Sequence, residues 1–210
     1  MCKKIIFPFF LCLLLVSACE NKPQLPRLPL DATILAFGDS LTYGNGVKAS
    51  LSYPAVLEQL SGRSVINAGV SGEESAAGLQ RLPALLDEYQ PQLLILCHGG
   101  NDILRQRDLD RMAANIYSMI RLASEKNIPV VLLGVPKPGL FLSSADIYRK
   151  IAESTDVLYI DDLIPEILSK QSLKSDAVHP NAAGYRAIAE NINEKLADAG
   201  AFRAQHENSL

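Results

Sequence analysis

The sequence predicts an α/β domain built on a parallel sheet of about five strands, with helices on both faces. Short apolar runs of strand length recur from residue 32 onwards, and helical patterns separate them. The runs are mostly apolar, as expected for strands that are covered on both faces. Because strands and helices alternate, a three-layer α/β/α sandwich is favoured. The predicted strands are residues 33–37, 64–67, 93–97, 130–134 and 157–160.

Five helices are predicted around these strands. The last of them follows Pro180-Asn181 and ends before Gly200, which is a typical pair of helix boundaries. Pro83 lies inside the second predicted helix, where it favours a kink or a late start. The predicted helices are residues 53–60, 75–88, 109–126, 144–153 and 182–199.

Residues 1–18 have the pattern of a secretory signal peptide. Two lysines precede an apolar run over residues 5–16, which is too short for an ordinary membrane-spanning helix. The small residues before Cys19 make this segment similar to a bacterial lipobox, in which the cysteine is lipidated and everything before it is removed. We therefore expect Cys19 to anchor the protein in the bacterial cell envelope. Glu20 after it favours the periplasmic face of the outer membrane. The alternative is a plain secretory signal with a chance cysteine.

The rest of the chain predicts one domain with short extensions. Residues 19–31 contain the lipid site and three prolines without periodicity, which indicates a semi-extended tether. Residues 32–200 form the predicted domain, and residues 201–210 form a polar tail. Without the two signal-peptide lysines the chain has 18 basic and 23 acidic residues, a formal charge of −5, and no basic run. Nucleic acid is therefore not an expected partner.

Polar and glycine-rich segments follow the predicted strands. Ligands of parallel sheets bind beyond the carboxyl ends of the strands, so these segments are candidates for a site. Ser40 follows the first strand, Gly72 the second and Asn101 the third. Asp176 and His179 directly precede the last predicted helix. The fold is therefore expected to bring all five residues to one edge of the sheet.

These residue types match what acyl transfer requires. A serine hydroxyl such as that of Ser40 needs a base, and histidine is the usual one. His179 in turn needs an orienting carboxylate, which Asp176 can supply from the same turn. A tetrahedral intermediate needs hydrogen-bond donors for its oxyanion, and the candidates are the backbone N–H groups of Ser40 and Gly72 and the side chain of Asn101.

Structural alternatives exist for several of these residues. Ser40 is also a typical helix cap, and Asp176 a typical turn residue. Asp39 and Asp102, together with Asp176 and His179, offer a donor set that suits a divalent ion. Each acid is equally at home in a tight loop, so no metal is expected.

Two residues at the end of the third strand have no predicted role in the chemistry. His98 adjoins the segment that contains Asn101, and local packing or hydrogen bonding is expected for it. Cys97 is expected to be a small core residue. It is the only cysteine after Cys19, so no internal disulfide can form.

The motifs resemble those of the GDSL, or SGNH, hydrolase family. The stretch Phe37-Gly-Asp-Ser-Leu is similar to the first sequence block of that family. The family's four defining letters are matched in order by Ser40, Gly72, Asn101 and His179. Residues 65–101 are most similar to the branch of bacterial multifunctional thioesterase I/lysophospholipases and arylesterases, and the whole resemblance covers residues 32–199.

This resemblance implies a flavodoxin-like fold and a role for each site residue. Ser40 would be the nucleophile, His179 the base and Asp176 its partner. The oxyanion hole would consist of the Ser40 N–H, the Gly72 N–H and the Asn101 side chain. No metal or organic cofactor is implied. The absence of a Gly-x-Ser-x-Gly motif argues against the ordinary α/β-hydrolase fold.

We therefore expect a serine esterase that works through an acyl-enzyme on Ser40. The implied substrates are small acyl esters: lysophospholipid, fatty acyl ester, aryl ester or thioester. One alternative is an O-acetyl esterase that acts on a cell-wall or surface glycan. Another is a non-catalytic lipoprotein that binds such ligands on the same scaffold. The apolar residues within 137–144 are expected to line or plug an acyl groove.

Overall fold

The computed structural model describes residues 24–137 and 143–202. The predicted signal peptide, the lipid site Cys19, the apolar residues 138–142 and residues 203–210 of the tail lie outside the described residues.

A five-stranded parallel sheet forms the centre of the molecule, as predicted. Its strand order is β2-β1-β3-β4-β7, and every neighbouring pair is parallel. A short antiparallel pair, β5 with β6, lies outside this sheet. The strands are β1 (Thr33–Gly38), β2 (Ser64–Gly69), β3 (Leu93–Cys97), β4 (Val130–Leu133), β5 (Pro136–Lys137), β6 (Ser143–Ser144) and β7 (Leu158–Ile160).

Burial explains why the apolar runs become the interior strands. Every residue of β3 and β4 is buried, and in β1 only Thr33 is partly exposed. Strands with both faces covered need apolar side chains at every position, not at alternate ones. The edge strand β2 has mixed burial along its length.

Helices cover the sheet in two layers, which confirms the predicted sandwich. Contacts join α2 and α7 to α8 in one layer and α3 and α6 to α5 in the other. None of the helices in the described part of the chain is long and apolar enough to span a membrane. The helices are α1 (Ser40–Tyr43), α2 (Tyr53–Ser61), α3 (Ser75–Tyr89), α4 (Gly100–Leu104), α5 (Leu109–Glu125), α6 (Asp146–Glu153), α7 (Leu163–Ser169) and α8 (Ala182–Asp198).

The helix predicted from residue 144 was placed too early, because α6 begins at Asp146. Ser144 belongs to β6, and its backbone N–H donates to the Asp162 carboxylate at 2.8 Å. The Ala145 N–H donates to the Val135 carbonyl at 3.0 Å, and the extended backbone of Ala145, with ψ = 131°, makes it the N-cap of α6. Pro83 does not delay α3, which begins at Ser75 as expected.

Two leucines of the segment predicted as a tether, Leu25 and Leu28, pack on the domain. The Leu25 and Leu28 N–H groups donate to the carbonyls of Ala199 and Ala201, both at 2.8 Å. Leu28 is buried in the core, and so is Phe202 from the predicted tail. Apolar residues spaced among the prolines thus find partners at and just after the end of α8.

Candidate active site

The sheet reverses its strand order next to β1, which creates a crevice at the carboxyl edge. The connection from β1 leads outward to β2, and the next one returns to β3 on the other side of β1. Side chains that follow these strands therefore meet at a topological switch point, the usual ligand position in open α/β sheets. Ser40 follows β1, Gly72 lies after β2, and Asn101 lies after β3.

Ser40 is the first residue of α1, and the preceding Asp39 fixes the turn into that helix. The Asp39 carboxylate accepts a hydrogen bond from the Leu41 N–H at 3.1 Å, which makes Asp39 the N-cap. Asp39 is buried, and burial raises its pKa, although the nearby His98 and the N–H groups of Leu41 and Gly100 oppose that shift. The helix-capping role that was considered for Ser40 is thus filled by Asp39. The Ser40 hydroxyl is free to bond to another partner.

That partner is His179. The distance between Ser40 Oγ and His179 Nε2 is 3.0 Å, and His179 Nδ1 is 2.8 Å from Asp176 Oδ2. Ser40 and His179 are 139 residues apart in sequence, and the fold brings them into direct contact. The three side chains form a continuous hydrogen-bonded series from hydroxyl to imidazole to carboxylate.

A tight turn before α8 orients Asp176 and His179. The second carboxylate oxygen of Asp176 accepts hydrogen bonds from the N–H groups of Val178 and His179, at 2.8 and 2.9 Å. Partial burial works to raise the pKa of Asp176, but the hydrogen bonds from His179 and from these N–H groups outweigh it and hold the pKa below its ordinary value. Asp176 is therefore both a turn residue and an ionised partner of the imidazole.

Two further polar groups face the same crevice. Gly72 has φ = +77°, a left-handed conformation that favours glycine. Within the described ranges, neither the Ser40 N–H nor the Gly72 N–H has a hydrogen-bond partner. The Asn101 side-chain amide donates to the Glu73 carbonyl at 3.0 Å and lies 3.4 Å from Asp39 Oδ2. The crevice therefore contains two N–H groups without partners among the residues described and an amide hydrogen whose bond to Asp39 is long.

The sequence did not reveal Glu73, whose carboxylate is the centre of a buried ionic cluster. Arg81 Nε lies 2.7 Å from one carboxylate oxygen, and His98 Nε2 lies 3.1 Å from the other. Burial alone would raise the pKa of Glu73, but the hydrogen bonds from His98 and Arg81 lower it to about 2. The only sequence signal was its position directly after Gly72, which also suits an acid near the start of a helix.

A cleft of about 430 Å³ opens over these groups. Ser40, Gly72, Asn101 and His179 are among the residues that line it. Most of the lining that it exposes is apolar. The apolar walls come from Leu41, Leu104, Val135, Pro136, Leu168, Ala177 and Val178. The cleft therefore places a hydroxyl that is hydrogen-bonded to an imidazole, together with several N–H donors, beside an apolar surface that could bind a hydrocarbon chain.

The acids considered as metal ligands have other partners. Asp102 accepts hydrogen bonds from the Ser75 N–H and hydroxyl at 2.8 and 2.7 Å, and Asp39 caps α1. In residues 24–137 and 143–202, no group of three His, Cys, Asp or Glu side chains is arranged to hold a metal ion.

A hydroxyl, an imidazole and a carboxylate in hydrogen-bonded series, at the switch point of a parallel sheet, define a serine hydrolase. The model of the GDSL-like lipase/acylhydrolase family matches residues 36–187. The chain belongs to this family and is a serine esterase, as the sequence predicted.

Individual relatives agree with this assignment. Thioesterase 1/protease 1/lysophospholipase L1 of Escherichia coli K12 is 32% identical over 172 residues, which cover 78% of this chain and 83% of that protein. Esterase TesA of Pseudomonas aeruginosa is 30% identical over 190 residues, which cover 85% and 94%. The crystal structure of the psychrotrophic esterase EstA from Pseudoalteromonas sp., inhibited by monoethylphosphonate, has a TM-score of 0.68 at 26% identity and covers 80% of this chain and 96% of that one.

Proposed function

We propose that Ser40 is the nucleophile of this esterase and that its substrates carry an apolar acyl chain. The observation that carries the proposal is the hydrogen-bonded series Ser40–His179–Asp176, in which Ser40 and His179 line a mostly apolar cleft. The names of the relatives, which include a lysophospholipase and a thioesterase, support the same substrate class.

In the acylation step, Ser40 Oγ attacks the ester carbonyl while His179 Nε2 takes its proton. Asp176 holds the proton on Nδ1, so that Nε2 is free to accept, and stabilises the imidazolium that forms. The imidazolium then gives its proton to the leaving alcohol, and an acyl-enzyme on Ser40 remains. A water molecule activated by His179 releases the acid and restores the hydroxyl.

The tetrahedral intermediates carry negative charge on the former carbonyl oxygen. We assign its stabilisation to the N–H groups of Ser40 and Gly72 and to the Asn101 amide. The Asn101 amide donates one hydrogen to the Glu73 carbonyl at 3.0 Å, and we assign the other, whose bond to Asp39 is long at 3.4 Å, to the oxyanion. Donors fixed before the reaction act without the cost of reorganising solvent.

The acyl preference is testable with p-nitrophenyl esters of increasing chain length, from acetyl to palmitoyl. Each methylene buried against the cleft walls is worth about 0.8 kcal/mol, so kcat/KM should rise roughly fourfold per methylene until the cleft is filled. Tyr117→Ser, on the exposed side of α5, is the control and should leave the profile unchanged. A profile that falls from acetyl onwards would contradict the apolar-acyl proposal and favour O-acetyl groups on a glycan.

We also infer that lipidated Cys19 anchors the enzyme in the bacterial envelope, with the outer membrane favoured. The support is the similarity of residues 16–19 to a lipobox. The Cys19→Ala variant should move from the membrane fraction to the soluble fraction on cell fractionation, since no acyl chains then hold it. Cys97→Ala, at a buried cysteine, is the matched control and should remain in the membrane fraction. Membrane retention of Cys19→Ala would refute the anchor.

A further inference from the structure

His98 lies fully buried beneath the cleft, and both of its ring nitrogens are engaged. Nδ1 accepts a hydrogen bond from the Gly99 N–H at 2.9 Å. An acceptor at Nδ1 places the proton of the neutral imidazole on Nε2, which can then donate to the Glu73 carboxylate at 3.1 Å. The imidazole therefore joins the loop after β2, which contains Glu73, to the turn after β3, which begins at Gly99.

The surroundings of His98 leave the ring little freedom. The Tyr148 hydroxyl donates to the His98 carbonyl at 2.7 Å, and the Phe37 ring centroid lies 5.7 Å from that of the imidazole. Gly78 of α3 makes room for the ring, because a Cβ atom there would lie 2.4 Å from His98 Nε2. The imidazole is thus enclosed by packing as well as held by hydrogen bonds.

The two segments that His98 joins carry two of the three proposed oxyanion donors. Gly72 directly precedes Glu73, and Asn101 is the second residue of α4, two positions after Gly99. Asn101 itself bonds to the Glu73 carbonyl. A shift of Glu73 relative to the turn after β3 would therefore change the position of the Gly72 N–H relative to the Asn101 amide.

We propose that His98 is a positioning residue, which clamps Glu73 to the turn after β3 and so fixes the distance between the Gly72 and Asn101 donors. Arg81 holds the same carboxylate from α3, but it bonds to carbonyls at the ends of β1 and β2 and not to the turn after β3. This inference rests on the oxyanion roles proposed above.

The first test is His98→Leu, which removes both hydrogen bonds and retains a buried side chain. We expect kcat for p-nitrophenyl butyrate to fall roughly 10- to 100-fold, the scale of a misplacement of about 1 Å in an active site. KM should change less than about twofold, because the donors act on the transition state. His98→Gln, which can still donate to Glu73, should recover most of the loss.

The second test repeats His98→Leu in an Asn101→Ala background. If His98 acts through the donors, removing one of them first should make the loss caused by His98→Leu several-fold smaller. Equal losses in both backgrounds, or full kcat in folded His98→Leu, would overturn the proposal. If Asn101→Ala alone keeps full kcat, the oxyanion assignment falls and this inference with it. If Asn101→Ala is impaired but its loss of kcat and that of His98→Leu are additive, the oxyanion assignment stands and only the proposed role of His98 is refuted.

A stability control separates positioning from general weakening of the fold. Ile192→Ala, at a fully buried position of α8, should lower the unfolding temperature and leave kcat unchanged. Should His98→Leu fail to fold, Glu73→Gln takes its place in both backgrounds, and the same reduced loss with Asn101→Ala is expected. An additive loss for Glu73→Gln would overturn the proposal equally.

Discussion

The Ser40→Ala variant is expected to lose roughly 10⁶-fold in kcat for p-nitrophenyl esters, the scale seen when a serine hydrolase loses its nucleophile. The hydroxyl is bonded only to His179 Nε2 at 3.0 Å among the described residues, so its removal leaves the turn and its capping by Asp39 intact. The unfolding temperature should therefore remain close to that of the wild type. Labelling by a fluorophosphonate probe should disappear together with the hydrolysis.

The three residues proposed as catalytic, Ser40, His179 and Asp176, are expected to act as one unit. Adding His179→Ala to Ser40→Ala should cost little more, because the base has no proton left to accept. Ser169→Ala, an exposed serine in α7, is the matched control and should keep full activity and labelling. Undiminished hydrolysis or labelling of Ser40→Ala would refute the nucleophile assignment.

The second large effect is expected for Asp176→Asn, with a fall in kcat of about 10⁴-fold. An asparagine oxygen can still accept from the N–H groups of Val178 and His179, so the turn should persist. Its NH₂ group would then face His179 Nδ1, which must become the acceptor. The proton moves to Nε2, and the imidazole can no longer take a proton from Ser40.

A charge control distinguishes this tautomer effect from the loss of one negative charge. Asp87→Asn removes an exposed carboxylate that pairs with Lys126, and it should leave kcat unchanged. A mere tenfold loss in Asp176→Asn would mean that the turn alone orients His179.

The interior of the fold was predictable because its signals are local. Strands β1, β3 and β4 are continuous apolar runs, and burial on both faces allows nothing else. Helices α1 and α4 were not predicted, because segments of four and five residues are too short to show a helical period. The contacts of Leu25 and Leu28 could not be predicted, because these residues bond to residues more than 170 positions away.

The residues of the candidate site likewise divide into those that local sequence motifs reveal and one that depends on distant partners. Ser40, Gly72, Asn101 and His179 stand in recognisable sequence blocks, and Asp176 lies one turn before the histidine. Glu73 was not recognised as part of the site, because its role depends on hydrogen bonds from Arg81 and His98. These two residues come from a helix and from the end of a strand elsewhere in the chain. Nothing in the local sequence distinguishes a buried carboxylate with two hydrogen-bonding side-chain partners from an exposed carboxylate at the start of a helix.

The docking of residues 24–28 has a bearing on how the enzyme meets its substrate. Gln24, Leu25 and Pro26 lie beside the segments that lead into β4 and β7, at the amino edge of the sheet, whereas the cleft opens at the carboxyl edge. From Cys19 to Gln24 the chain can reach about 18 Å at full extension. A domain of this size has a radius of gyration of about 16 Å, which makes it roughly 40 Å across.

This reach is shorter than the diameter of the domain. The tether therefore cannot let the domain turn over so that the cleft faces the membrane that holds the anchor. With the proposed anchor, the amino edge would lie near the bilayer and the cleft would face away from it. Lipids of the anchoring leaflet would then have to leave that leaflet to be hydrolysed, whereas esters arriving from the opposite side enter directly. The proposed anchor would therefore select substrates by their direction of approach, independently of the chemistry proposed at Ser40.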